Sequence, residues 1–215
     1  MARRLAGLAG RPPEGTARRL VAVAGPPGAG KSTLAEALAQ AFGEAGEAAE
    51  VMPMDGFHLD NGLLAARGLL ARKGAPETFD FAGFASAIAR LRDGGELIVP
   101  VFDRSREMAI AGARAIGPEV RTVVVEGNYL LLDEEPWRAL AAAWDFSAFI
   151  ELPEAELERR LIARWEGYGY APEAARQKAL GNDIPNARRV LQRRLPADVV
   201  IDQASGDVRP SPKHR

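Results

Sequence analysis

Residues Gly25-Pro26-Pro27-Gly28-Ala29-Gly30-Lys31-Ser32-Thr33 stand between the apolar run Leu20-Val21-Ala22-Val23-Ala24 and a segment that opens Leu34-Ala35-Glu36-Ala37-Leu38. The run reads as a strand, and Leu34, Leu38 and Phe42 recur at helical spacing. Strand, glycine loop and helix start, in that order, make the context of a phosphate loop, whose pattern is carried by Gly25, Gly30, Lys31 and Ser32. Such a loop binds an anion because glycine leaves the backbone N–H groups free to approach it, and the helix N-terminus adds partial positive charge. The nine residues from Gly25 to Thr33 are therefore the expected nucleotide cradle. Lys31 is expected to reach the β and γ phosphates of ATP, and the Ser32 hydroxyl to ligate the Mg²⁺ that bridges them.

The remaining composition narrows the class. A length of 215 residues suits one domain. The absence of cysteine excludes disulfides, a thiolate nucleophile and a cysteine-ligated metal, and fits a cytoplasmic protein. A formal net charge of -1 gives no general attraction to nucleic acid or an anionic membrane. The alanine-rich N-terminus holds Arg3, Arg4, Arg18 and Arg19 but no apolar signal core, and no stretch approaches a membrane span. The arginine-rich balance of basic residues carries no functional message by itself. The expected partner is a small molecule, not nucleic acid or membrane, with a homodimer left open.

Further strands are expected at Ala49 to Met54, Thr122 to Val125, Phe146 to Leu152 and Ala197 to Ile201, alternating with helical stretches. This is the signature of an α/β domain with a doubly wound five-stranded parallel sheet, flanking helices and a helical lid. Pro100 argues against a central strand, so Leu97 to Phe102 is expected outside the main sheet, as part of a flap. A short N-terminal helix over Ala2 to Ala9 should pack on the surface. Helix breaks are expected at Gly167 to Tyr170 and again at Gly181 to Asn186. The domain is expected to run over residues 1–203, with the lid at about 153–171. The polar tail 204–215 should stay disordered, and His214 within it has no assigned role.

Several side chains could carry chemistry at the carboxyl ends of these strands, where ligands of α/β sheets sit. Asp55, just after the second strand, could accept the proton of a phosphoryl acceptor or bind Mg²⁺ through water; a turn aspartate before Gly56 is the alternative. Glu126, directly after Val123-Val124-Val125, has the place of the acid that orders Mg²⁺, or is a cap. His58 could hydrogen-bond substrate or simply pack. Lys73 and Phe79 lie in a loop of mixed charge suited to gripping a polar substrate, although a solvated loop would read the same. Asp103, Arg104 and Arg106 face the acceptor or form a surface ion cluster. Arg160 and Arg164, one turn apart, either close over the phosphates as a lid or pair with acids such as Glu156.

Taken together, Gly25 to Thr33, Asp55-Gly56-Phe57, Val99 to Asp103 and Val125-Glu126-Gly127 make the chain resemble the superfamily of phosphoribulokinase, uridine kinase and bacterial pantothenate kinase, from about Leu20 to Ile201. Arg67-Gly68-Leu69 and the run from Lys73 to Asp80 look most like the pantothenate kinase branch. With Asp55 to Asn61 and Gly181-Asn182-Asp183-Ile184-Pro185-Asn186 added, the set is similar to the small bacterial group named fructose transport system kinases. The resemblance implies an ATP-dependent, Mg²⁺-requiring phosphotransferase acting on an alcohol, with Asp55 as the base and Glu126 as a magnesium or active-site carboxylate. The acceptor could be a sugar such as fructose, a pantothenate-like compound or a nucleoside. Uridine kinases have Tyr-Asp where this chain has Phe102-Asp103, so their nucleoside contacts do not transfer.

Two other classes share the loop. A nucleotide-driven switch or energy-coupling subunit would need signatures that are missing here, since neither Asn-Lys-x-Asp nor Leu-Ser-Gly-Gly-Gln occurs. A regulator without turnover has no need for Asp55 and Glu126 together.

Overall fold

A computed structural model describes residues 1–211. The chain opens with α1 (Ala2–Ala9), β1 (Arg19–Ala24), α2 (Lys31–Glu44), β2 (Ala49–Pro53), α3 (Asn61–Ala66) and α4 (Phe81–Leu91). It continues through β3 (Leu97–Asp103), β4 (Met108–Ile116), β5 (Thr122–Gly127), β6 (Phe146–Glu151) and α5 (Glu154–Gly167). It closes with α6 (Pro172–Lys178), α7 (Ile184–Gln192), β7 (Val199–Asp202) and β8 (Val208–Pro210).

The main sheet has the order β2-β5-β1-β6-β7-β8. Its first five strands are parallel, as expected, and β8 pairs antiparallel with β7 as a sixth. Every residue of β1 and β5 is buried, which is what continuous apolar runs provide when both faces of a parallel sheet are covered. The two-residue period divides them cleanly. Leu20, Ala22, Ala24, Val123 and Val125 face one core with α4 and Trp137, while Val21, Val23 and Val124 face the other with Leu5, Leu38 and Leu157. Helices thus cover both faces, and α1 docks through Leu5.

The tail is the clearest correction. Residues 204–211 are ordered, because Val208 to Pro210 complete the sheet edge and the Asp202 carboxylate caps the turn through Ala204 N at 2.9 Å. The rest of the expected tail, with His214, lies outside the described residues. The expected break at Gly181 is likewise absent: Ala179–Asp183 forms a π-helical turn that joins α6 to α7 without interruption. Leu97 to Phe102 does stand outside the main sheet, in a hairpin with β4.

Arg18 and Arg19 are buried structural groups. Arg18 donates to the carbonyls of Val120 (3.1 Å), Gly95 (2.9 Å), Gly117 (2.6 Å) and Leu91 (3.5 Å), tying α4 and two loops to the start of β1. Arg19 pairs with Glu47 at 2.6 Å and stacks on Phe42.

Candidate functional site

The site begins where β1 ends. Register pairs Ala24 with Gly127 and Val23 with Glu126, so both strands finish level and Glu126 sits beside the entry to the glycine loop. Pro53 pairs with Glu126 on its other side, which brings the turn Met54–Phe57, and Asp55 with it, to the same end of the sheet.

The loop's glycines have identifiable duties. A Cβ on Gly25 would come within 2.9 Å of the Ile150 carbonyl oxygen. At Gly28, φ is +81° and a Cβ would meet Leu161 Cγ at 3.2 Å, so α5 lies directly over the loop. Gly30 caps α2 with φ +88° and no side chain bonds to the cap, which leaves the first N–H groups of that helix for an anion. Lys31 is buried and donates to the Pro26 carbonyl at 2.9 Å. Burial lowers its pKa to about 8, against the pull of Glu126 and Asp55.

Ser32 Oγ donates to Glu126 Oε1 at 3.0 Å. Burial pushes the Glu126 carboxyl above its ordinary range, a rise that Lys31 and the Ser32 bond only partly oppose. Asp55 Oδ2 accepts from Arg104 Nη2 at 2.6 Å. His58 Nδ1 lies 2.8 Å from the Asp55 carbonyl oxygen, and its ring packs between Phe79 and Phe102.

These groups share a cavity of about 860 Å³. Its walls hold Pro27, Gly28, Gly30, Lys31, Ser32 and Thr33 on the loop side, with Asp55, His58, Lys73, Arg104 and Glu126 opposite. Arg160 and Arg164 reach it from α5. A second lobe of about 650 Å³, between β2, α2 and the hairpin, shares Ser32, Asp55, Arg104 and Glu126 with it.

Not every expected residue reaches this space. Gly25, Pro26 and Ala29 of the loop are buried and do not line the cavity. Phe79 is buried under His58, Tyr129 and Trp137 and does not line this cavity, so it supports the wall without forming it. Asp103 is the cap of the hairpin turn, accepting from Ser105 N, Ser105 Oγ and Arg106 N. The surface alternative holds for Asp103, while Arg104 turns inward. Arg160 makes the expected pair with Glu156, its Nε donating to Glu156 Oε1 at 2.7 Å, and the residue lines the cavity.

The sequence reading also passed over several wall residues, among them Asn61, Asn128, Lys178, Asn182 and Asn186. Asn61 falls in the run Asp55 to Asn61 that carries the resemblance without a role of its own, as Asn182 and Asn186 do in the run Gly181 to Asn186. The π-helical turn of that last run sends Asn182 Nδ2 to the Lys73 carbonyl at 2.7 Å. From the same turn, Asp183 accepts from Arg164 Nη2 at 3.2 Å and from Trp165 Nε1 at 2.6 Å. One turn thereby ties the helix over the phosphate loop to the loop that carries Lys73.

Residues 20–207 match the Phosphoribulokinase / Uridine kinase family. The chain belongs to that family. Among solved structures, a fructose transport system kinase from Silicibacter sp. TM1040 is similar at 50% identity and TM-score 0.89, over 93% of this chain and 98% of that one. YggC of Escherichia coli K12 is 39% identical over 178 residues, 81% of this chain and 73% of the relative. A pantothenate kinase from Sorangium cellulosum is 33% identical over 119 residues, 54% of this chain and 39% of that enzyme. Members of the phosphoribulokinase and uridine kinase family are P-loop kinases, and the fold described above is theirs.

The site fits the Mg²⁺ and nucleotide that such kinases use. Its oxygen donors, Ser32 Oγ and Glu126, are hard ligands, and a buried carboxylate short of positive charge is relieved by a divalent cation. Among the described residues no group of three or more His, Cys, Asp or Glu side chains could hold a metal ion by itself. No described helix is long and apolar enough to cross a membrane.

Proposed function

We propose that this chain is an ATP-dependent small-molecule kinase that transfers the γ-phosphoryl group to an alcohol. The observation that carries this reading is the meeting of a phosphate loop, Lys31 and two carboxylates, Asp55 and Glu126, on a single cavity with room beyond the loop. Hydrolysis alone would not call for the space lined by His58, Asn61, Lys73 and Asn182.

In this reading the residues from Gly25 to Thr33 hold the triphosphate, with Lys31 against its β and γ groups. Ser32 and Glu126 would hold the Mg²⁺, which would supply neutralisation of phosphate charge. Asp55 accepts the proton of the acceptor hydroxyl as that oxygen bonds to phosphorus; the bond from phosphorus to the bridging oxygen breaks, and ADP leaves. His58, Lys73 and Arg104 bind the acceptor, and α5 within residues 153–171 acts as a lid that carries Arg160 and Arg164 to the phosphates. The chain works as one cytoplasmic domain, on a sugar, a pantothenate-like compound or a nucleoside.

The test is ADP release from Mg-ATP across a panel of fructose and other sugars, pantothenate, uridine and glycerate, with Lys31→Ala as the blank. One acceptor should raise turnover well above the blank. Acceptor-independent hydrolysis across the whole panel would turn the reading towards an energy-coupling NTPase.

A further inference from the structure

Asp183 holds two neighbouring side chains of α5. Its Oδ2 accepts from Trp165 Nε1 at 2.6 Å and its Oδ1 from Arg164 Nη2 at 3.2 Å, so the indole bond is the short one. A carboxylate facing a guanidinium can take two parallel N–H bonds, one on each oxygen. Here Trp165 has drawn away the second oxygen, and Arg164 Nε is left buried with no partner among the described residues. The ion pair is half made. A buried donor without an acceptor favours any arrangement that supplies one.

Bound phosphates would supply it. Arg164 lines the cavity together with Lys31, and its positive charge is near enough to help hold the Lys31 pKa down. Both cations border the space that the kinase reading gives to the phosphates, yet Arg164 is already paired. Asp183 is not free to travel with it. The π-helical turn Ala179–Asp183 is fixed on its other side, where Asn182 Nδ2 donates to the Lys73 carbonyl at 2.7 Å and Asn182 Oδ1 accepts from Asn186 Nδ2 at 3.3 Å. A carboxylate is also repelled by phosphate. A guanidinium that turns to the nucleotide must therefore leave Asp183 behind, bonded to Trp165.

We propose that Asp183 is a positioning residue that competes with the phosphates for Arg164: it holds the guanidinium until nucleotide binds and then yields it. The inference rests on the nucleotide site of the kinase reading and adds a control over that site. Removing a competitor tightens binding, whereas removing a brace weakens it. The sign separates the two roles.

Calorimetric titration of the full chain with Mg²⁺ and the non-hydrolysable analogue AMP-PNP reads that sign without turnover. Asp183→Asn keeps an oxygen for Trp165 and removes the charge that holds Arg164. It should bind the analogue about fivefold more tightly than the parent, the scale of one partly exposed ion pair. In an Arg164→Ala background the same substitution should change affinity by less than about twofold, because the effect passes through the arginine. Equal tightening in that background would mean that loss of any nearby negative charge favours the phosphates, and it overturns the proposal. Unchanged or weaker binding by Asp183→Asn overturns it as well.

A second measurement leaves Asp183 intact. The Nε–H signal of Arg164 in nitrogen-15 spectra, assigned by its loss in Arg164→Lys, should move when Mg²⁺ and AMP-PNP are added, as the unpaired donor gains a phosphate oxygen. A signal that stays in place keeps the guanidinium on Asp183 and overturns the proposal. A parent that does not bind the analogue removes the nucleotide site and this inference together. A parent that binds it, with no tightening in Asp183→Asn, removes this inference alone, and acceptor-dependent ADP release decides the kinase reading separately.

Discussion

Arg104 Nη2 lies 2.6 Å from Asp55 Oδ2 and caps one oxygen of the carboxylate while the other stays open to the cavity. The guanidinium is half exposed, so the pair adds less than about 1 kcal/mol to stability. Asp55→Asn should therefore unfold in urea within that margin of the parent, and bind ATP as well. Its turnover should fall by about 10²–10⁴-fold, the loss typical of a removed general base. Retained turnover would take the base role from Asp55.

Lys31 titrates near pH 8 in the free protein because burial disfavours its charge. Bound phosphates favour the charged form and lift that pKa. Above pH 8 most of the lysine is neutral before binding and charged after it, so ATP binding should take up a proton. Calorimetry in buffers of different ionisation heat should show the uptake at pH 8.5–9, little at pH 7, and none in Lys31→Met. Uptake that persisted in the variant would assign the proton elsewhere.

Arg164 and Arg160 should differ. Arg160 is held along the helix surface by Glu156, whose pKa its two arginine partners, Arg159 first, lower to about 2. Arg164 is set by Asp183 on another element, and its Nε is buried without a partner among the described residues. Arg164→Ala should lower kcat by about 10³-fold, the lower end of what a phosphate-directed arginine supplies, and Arg160→Ala by less. Single-turnover rates at saturating ATP compare them. The reverse order would mean that the lid contacts phosphate through its outer arginine.

Arg18 has no exposed surface and satisfies four carbonyl groups. Arg18→Ala should cost about 3 kcal/mol or more, because buried acceptors are left unpaired. Arg18→Lys should recover little, since one ammonium cannot replace a planar fork of donors. Urea denaturation reads both, and a near-neutral lysine variant would contradict the clamp.

The parallel strands and the phosphate loop were legible because burial on both faces leaves uninterrupted apolar runs, as in Val123-Val124-Val125. Strand β4 was not, since most of Met108 to Ile116 is exposed or half-buried and its residues carry little β propensity. Phe79 and Asp103 were misplaced for a common reason: loop residues show no periodicity from which to tell the inner side from the outer. Phe79 turns under His58, and Asp103 turns back on its own hairpin. Arg18 could not be read as a core residue because its partners are carbonyl groups, which any sequence supplies. Asn182 and Asp183 were hidden by Gly181 and Pro185, which look like a helix break where the chain absorbs an extra residue in a π-helical turn.

Both outer strands of the main sheet end on a proline, Pro53 in β2 and Pro210 in the three-residue β8. On the β2 side Arg114 of the hairpin also donates to the Val51 carbonyl at 2.7 Å. A strand arriving from a neighbouring copy would meet a missing donor at either margin and, at the β2 margin, an occupied acceptor as well. Continuation of the sheet into a neighbouring copy is thereby disfavoured at both of its edges.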